Sequence, residues 1–209
     1  MTSNPMDHLV FVARDLDEGI AHIEGLLGVK MQPGGSHQGR GTRNVLLALS
    51  EDTFLEVLGV DPAQPEPFEP RWLGVDAVTE PTLVTWAAKS SDLPAVVAAG
   101  RAAGVDLGEP STASRQKPDG TTIAWGFSDP RAERNGGLIP FFLDWGDTPH
   151  PGASLPQECS FVDITAECPN PEELRARVEA LGLDMVVRFG KVPRLAARIR
   201  PPHGVVELR

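Results

Sequence analysis

The chain has 209 residues, of which 41% are hydrophobic and 23% are charged, and its formal net charge is −10. Such a chain can bury a core of ordinary size, and its acidity argues against nucleic acid or an anionic membrane as a partner. No apolar run is long enough to cross a bilayer, and residues 1–7 lack the pattern of a signal peptide, so we expect a cytoplasmic monomer or homodimer.

The first segment predicts the element order β-α-β-β-β. An apolar run of strand length at residues 8–12 is followed by Asp15, which can cap a helix with Glu18 three positions later. Gly28 ends this helix, and a glycine-rich loop follows at residues 33–41. The segment closes with two predicted strands joined by a tight turn, residues 44–49 and 53–60.

Two further segments repeat this order. A proline-rich linker at residues 63–79 precedes the second segment, in which Asp119-Gly120 is a strong signal for a hairpin turn between two strands. The third segment is shorter and runs to the end of the chain. The predicted organisation is a pair of modules in residues 1–152, divided into 1–62 and 80–152, and a third module in residues 153–209.

All three segments share a helix that stops at a glycine and a last strand that closes on an acid. The stops at Gly28, Gly104 and Gly182 are 76 and 78 residues apart. The closing acids are Glu56, Asp144 and Glu207. A carboxylate at a fixed place in a repeated unit suggests both a modular fold and a site.

The first segment adds a histidine, His8, in its opening strand. Side chains alternate along a strand, so His8 shares a face with Val10 and Val12, and Glu56 shares one with Leu58. If both faces look into one cleft, an imidazole and a carboxylate meet in apolar surroundings. A divalent metal suits that pair, because it neutralises the carboxylate and accepts the imidazole nitrogen.

These residues resemble a known group of proteins, the vicinal oxygen chelate superfamily, and more narrowly its glyoxalase-like domain proteins. The similarity is carried by residues 6–12, 39–44, 53–57 and 136–146, and it covers residues 6 to about 152 well. The resemblance implies an α+β fold in which repeated β-α-β-β-β modules form curled mixed sheets around a cleft.

The resemblance also implies which residues form the site. His8, Glu56 and Asp144 match or approach the positions of metal ligands for one Zn, Ni, Fe or Mn ion. The second module has Val84, Thr85 and Trp86 where a second histidine would stand, so an absence of metal is the alternative. Glu56 and His37 are the predicted catalytic residues, and the predicted substrate contacts are His37, Asn44, Trp86 and Trp125.

Two functions from different classes follow. In the first, a metal-dependent lyase, isomerase or dioxygenase-type enzyme acts on a small molecule with vicinal oxygens, and the metal stabilises an enediolate or similar oxyanion. In the second, a metal-free protein sequesters a small organic compound, as resistance-type relatives do. A plainer interpretation makes His8 a structural histidine and Glu56 a solvated strand residue.

Overall fold

The computed structural model describes residues 6–116 and 120–209, so Asp119 of the predicted hairpin turn lies outside the described residues. The described part of the chain forms strands and three α-helices. In chain order these are β1 (Met6–Val12), α1 (Leu16–Leu27), β2 (Gln32–His37), β3 (Thr42–Ser50), β4 (Thr53–Val60), β5 (Thr82–Lys89), α2 (Leu93–Ala102), β6 (Ser111–Gln116), β7 (Thr122–Phe127), β8 (Phe141–Asp144), β9 (Ser160–Cys168), α3 (Pro171–Ala180), β10 (Val186–Phe189), β11 (Arg194–Arg200) and β12 (Val206–Leu208).

Strands β1 to β8 close into a mixed barrel in the order β1-β4-β3-β2-β6-β7-β8-β5. Each half of the barrel has the same internal arrangement, because the opening strand runs parallel to the closing strand, β1 to β4 and β5 to β8. The opening strands of the two halves pair antiparallel to each other. The predicted α+β fold of β-α-β-β-β modules with curled mixed sheets is thereby confirmed.

Helix α1 packs on the outside of the first half. Its capping residue is Asp15, whose side chain accepts a hydrogen bond from the Asp17 backbone, and it ends at Gly28 in the left-handed conformation, φ 67°. Gly19 faces the barrel, where a Cβ atom would lie 2.7 Å from Ala13 Cβ. The helix can approach the sheet this closely only because that position has no side chain.

The glycine-rich segment predicted as a loop forms most of strand β2 instead. Its partner β3 shows why glycine is needed there: a Cβ atom on Gly34 would lie 2.1 Å from Asn44 Oδ1. Gly34 therefore makes room for a neighbouring side chain, whereas Gly39 and Gly41 take positive φ values in the turn that follows β2.

The two faces of the barrel wall bury different sets of side chains. Leu9 and Phe11 of β1 point outward into a large core beneath the helices, whereas Val10 and Val12 belong to a smaller cluster inside the barrel. Trp86 of β5 lies in the outer core with an exposed fraction of 0%, and its indole nitrogen donates to the Leu138 carbonyl at 2.9 Å.

The third segment has the predicted element order but not the sheet order of the first two. Its sheet runs β10-β9-β11-β12, so the strand that follows α3 lies directly beside the opening strand and parallel to it. In the barrel halves the last strand occupies that place. The acid of this segment, Glu207, is exposed and pairs with Arg209 at 2.6 Å.

Within the described ranges, no helix is long and apolar enough to span a membrane. Cys159 and Cys168 are both free and buried, as expected for structural thiols.

Replacing Trp86 with alanine removes a fully buried side chain from the outer core. We expect the Trp86→Ala variant to lose about 3–5 kcal/mol of unfolding free energy, measured by urea denaturation. Phe68 is fully exposed, so Phe68→Ala should change that free energy by less than about 0.5 kcal/mol. Equal effects of the two substitutions would contradict this assignment of the core.

Candidate functional site

The interior of the barrel contains a narrow cavity of about 40 Å³. One water molecule needs roughly 10–15 Å³. The cavity therefore has room for only a few waters, because side chains fill most of the interior. Both halves and the segment after β8 contribute to the lining, which consists of His8, His37, Asn44, Leu46, Phe54, Glu56, Trp72, Leu73, Arg115, Trp125, Phe127, Phe141, Leu143, Trp145 and Pro151.

His8 and Glu56 meet in this cavity. His8 Nε2 lies 3.6 Å from Glu56 Oε2, and the other oxygen of Glu56 accepts a hydrogen bond from Asn44 Nδ2 at 2.6 Å. The imidazole also stacks on the Phe54 ring with a centroid distance of 4.5 Å. The interior faces of β1 and β4 thus bring an imidazole and a carboxylate together in apolar surroundings.

On its other side, His8 is held by Asp7. Asp7 Oδ1 lies 2.6 Å from His8 Nδ1, and Asp7 Oδ2 accepts a hydrogen bond from Trp145 Nε1 at 2.8 Å. Burial alone would raise the pKa of Asp7, but His150 and His8 outweigh it and hold this pKa well below its ordinary range. Because Asp7 is therefore a carboxylate, the proton of a neutral His8 lies on Nδ1, and Nε2 faces Glu56.

Asp7 is absent from the site predicted by the sequence because simple alternation places it on the opposite face from His8. The pairing of β1 with β5 shifts between Met6 and His8, so β1 holds one extra residue at Asp7. Such a bulge disrupts the alternation locally. An acid beside a predicted site histidine is the signal in the sequence that could have identified it.

His37 lies elsewhere on the same cavity wall and is neutral. Its Nδ1 atom is 3.1 Å from the Thr42 hydroxyl, which also accepts a hydrogen bond from Trp72 Nε1 at 3.1 Å. Burial lowers the pKa of His37 to about 4, and the positive charges of Arg115 and Arg40 add to this while the charge of Glu56 opposes it. Near pH 7 the ring is an uncharged donor and acceptor.

Arg115, on β6, is a second residue that the sequence did not single out. Its side chain is buried, and Nη1 donates to the Gly34 carbonyl. Burial lowers the pKa of Arg115, while the charge of Glu56 opposes this. Arginine stays charged in proteins, so the cavity contains a fixed cation as well as the carboxylate of Glu56.

The predicted site residues Trp86 and Asp144 lie away from this cavity. Trp86 points into the outer core, and the Asp144 carboxylate accepts a hydrogen bond from the Gly146 backbone at 2.9 Å. A shift of one position along a strand moves a side chain to the other face. The residues that face inward beside them are Ala87 and Leu143. Of the other predicted substrate contacts, His37, Asn44 and Trp125 all line the cavity.

The matching positions of the two halves test whether a metal ion fits. Ala87 pairs with Phe141 as His8 pairs with Phe54, so Ala87 corresponds to His8 and Leu143 to Glu56. Neither Ala87 nor Leu143 can bind a metal. In the part of the chain that the structure describes, no group of three or more His, Cys, Asp or Glu side chains is placed to hold one. The residues present supply half of a ligand set, so they do not fit a resident metal.

Comparisons with solved structures identify the same fold. A hypothetical protein from Staphylococcus aureus has a TM-score of 0.66 at 15% identity, over 97% of this chain and 83% of that one. A mutant of 4-hydroxymandelate synthase from Streptomyces coelicolor has a TM-score of 0.55 at 15% identity, over 100% of this chain and 63% of that one. Methylmalonyl-CoA epimerase from Streptomyces coelicolor is more distant, with a TM-score of 0.48 at 17% identity over 71% of this chain and 99% of that one.

No curated protein sequence gives a significant match. The profile described as a glyoxalase-like domain matches residues 6–182. This match covers both barrel halves and continues through helix α3. The chain therefore belongs to the glyoxalase-like domain family.

Proposed function

We propose that this protein is an acid–base enzyme that moves a proton on a small carbonyl compound inside the barrel, without a resident metal. The observation that carries the proposal is the buried row Asp7–His8–Glu56, which ends at a cavity that also contains the neutral His37. Burying ionisable groups costs free energy. Buried ionisable clusters in cavities are common at functional sites.

In this proposal Glu56 is the general base. Its Oε2 atom takes a proton from the carbon next to the substrate carbonyl. The electron pair of that C–H bond forms a C=C bond to the carbonyl carbon, and the π electrons of the carbonyl move onto its oxygen. His8 Nε2, at 3.6 Å from Glu56 Oε2, can receive the proton and return it to another carbon or to the opposite face. Asp7 fixes the ring through Nδ1 and stabilises its protonated form.

His37 would stabilise the oxyanion that forms. Trp72 already donates to the Thr42 hydroxyl, so the proton of this hydroxyl is available to His37 Nδ1. That arrangement leaves the proton of the neutral ring on Nε2, as a donor to the substrate oxygen. A neutral imidazole can act as the electrophile in such a proton transfer, as in triosephosphate isomerase.

One feature favours a second candidate, metal-free sequestration of a small organic compound. Much of the cavity wall is aromatic, including Trp72, Trp125 and Trp145, and aromatic pockets suit apolar ligands. Sequestration does not require Glu56 to be a base, so catalysis of proton exchange separates the two candidates.

Proton abstraction can be measured without knowing the product. We expect the protein to catalyse exchange of deuterium from D2O into the C–H group next to the carbonyl of small 2-oxo compounds, followed by proton NMR. Glu56→Gln keeps the size of the side chain but removes the base, so the exchange rate should fall about 100-fold or more.

Asp144→Asn is the matched control for this experiment. It makes the same chemical change in a carboxylate that lies outside the cavity, and it should leave the exchange rate unchanged. If no compound exchanges faster with protein than without it, or if both variants exchange like the wild type, Glu56 is not a base.

If the site works without a metal, the purified protein should contain almost none. Untagged protein should carry far less than one equivalent of Zn, Ni, Fe or Mn by mass spectrometry, and EDTA should leave the exchange rate unchanged, because the described residues supply only half of a ligand set. Stoichiometric metal that is lost in His8→Ala would instead support the metal-dependent alternative.

The neutrality of His37 has a consequence for stability. Its pKa is lowered from 6.5 to about 4, so the stability it contributes is present above pH 6.5 and is lost as the pH falls towards 4. Between pH 7 and pH 4.5 the wild type should lose about 2 kcal/mol more unfolding free energy than His37→Gln, which does not titrate. Chemical denaturation at both pH values measures this difference, and equal losses would show that His37 is not held neutral.

A further inference from the structure

Arg115 is a buried cation at the cavity that has no ion-pair partner among the described residues. Its side chain is 5% exposed, and it lines both the barrel cavity and an adjoining depression of about 260 Å³ beside residues 149–155. Its Nη1 atom donates to the Gly34 carbonyl. Among residues 6–116 and 120–209, no carboxylate lies within ion-pair distance of its guanidinium.

A guanidinium group carries five N–H donors and cannot escape burial by losing its charge. Burying a charge is costly unless the charge is paired and hydrogen-bonded. The charge of Glu56 offsets this cost only in part, because the pKa of Arg115 is still lowered by burial. The protein therefore keeps a positive charge at the cavity and leaves most of its donors without a described protein acceptor.

Arg134 shows what a structural arginine looks like in the same fold. It is equally buried, 4% exposed, but its terminal nitrogens donate to the Thr85 hydroxyl and to the carbonyls of Ile139 and Pro130. Three protein acceptors bind the terminal nitrogens of Arg134, although its Nε has none, whereas Arg115 has one described acceptor. Within the described part of the chain, the guanidinium of Arg115 therefore has donors free for a partner that those residues do not supply.

We infer that Arg115 binds the carboxylate of the substrate, which makes the substrate class a small 2-oxo acid. This inference rests on the proposed function, since it places the carbon next to the carbonyl of the same molecule at Glu56. The planar fork of a guanidinium matches the two oxygens of a carboxylate. The narrow aromatic cavity suits a small planar acid better than a bulkier anion.

The position of Arg115 gives the bound acid an orientation. Arg115 lines both the barrel cavity and the outer depression, whereas His8 and Glu56 line the cavity alone. The carboxylate would therefore lie at the Arg115 side, with the carbonyl and any apolar substituent towards the aromatic interior. This places the negative charge of the ligand beside Arg115 and keeps the reacting carbon next to Glu56.

The test compares acids with their uncharged amides. Dissociation constants of pyruvate and 2-oxobutyrate, and of the two matching amides, are measured by ligand-observed NMR titration. Wild-type protein should bind each acid at least about 10-fold more tightly than its amide. In Arg115→Met the affinity for the acids should fall about 30-fold or more, because a buried charge pair loses one partner, and the affinity for the amides should stay the same.

Two further variants make the result specific. Arg115→Lys keeps the charge but not the fork, so it should retain part of the preference for acids. Arg198→Met removes one positive charge from an exposed position that pairs with Asp163 on the second sheet, and it should bind like the wild type. The comparison of acid and amide dissociation constants in the wild type needs no variant. It therefore remains informative if Arg115→Met does not fold.

The outcomes separate this inference from the proposed function. Equal affinity of wild type for acids and amides, or an equal loss of both in Arg115→Met, would overturn the role of Arg115. If deuterium exchange depends on Glu56 and acids are not preferred, only the inference about Arg115 fails. If acids bind through Arg115 and no compound exchanges, the ligand class is right and the acid–base function is wrong.

Discussion

The closed barrel imposes one constraint on every other feature of this protein: each position along a strand faces either the outer core or the narrow interior. Eight strands of period two divide their side chains between these environments. Position 8 faces inward and position 9 outward, and the same holds for positions 87 and 86. Whether a histidine, an acid or a tryptophan belongs to the site therefore depends on which face of its strand it occupies.

The two halves of the barrel differ chemically although they share one topology, because different residues occupy their inward-facing positions. The first half presents His8 and Glu56 to the interior, and the second presents Ala87 and Leu143 at the matching positions. An apolar second half cannot complete a metal site, but it surrounds the carboxylate of the first half with low-polarity walls. In such surroundings Glu56, Arg115 and the neutral His37 interact more strongly than they would in water.

The sequence predicted the fold well because the fold depends on local signals. The helix caps, the glycine stops and the apolar runs each occur within about a dozen residues, and the order β-α-β-β-β follows from them. The sheet order of the third segment could not be predicted in this way. Whether the strand after α3 lies beside β9 or at the far edge depends on packing between distant residues, and both arrangements fit the same pattern of hydrophobic residues.

The site was predictable only in part, for reasons that differ between residues. His8, His37, Asn44, Glu56 and Trp125 all lie at the cavity. Alternation along a strand predicts that His8 and Glu56 face one interior, whereas His37 was predicted as part of a loop and lies on strand β2. Asp144 and Trp86 were predicted to belong to the site, but the register of β5 and β8 turns them outward. The sequence alone does not show this register. Arg115 has no neighbour in the sequence that marks it, since its acceptor Gly34 is 81 residues away.

Asp7 shows how a single irregularity connects distant parts of the fold. The bulge in β1 turns this carboxylate towards His8, and its second oxygen accepts the indole hydrogen of Trp145, 138 residues along the chain. Trp145 lies directly after β8 and lines the cavity. The orientation of His8 therefore depends on the end of the second half as well as on its own strand. Although the second half supplies no inward histidine or acid at the matching positions, it helps to hold the histidine of the first half in place.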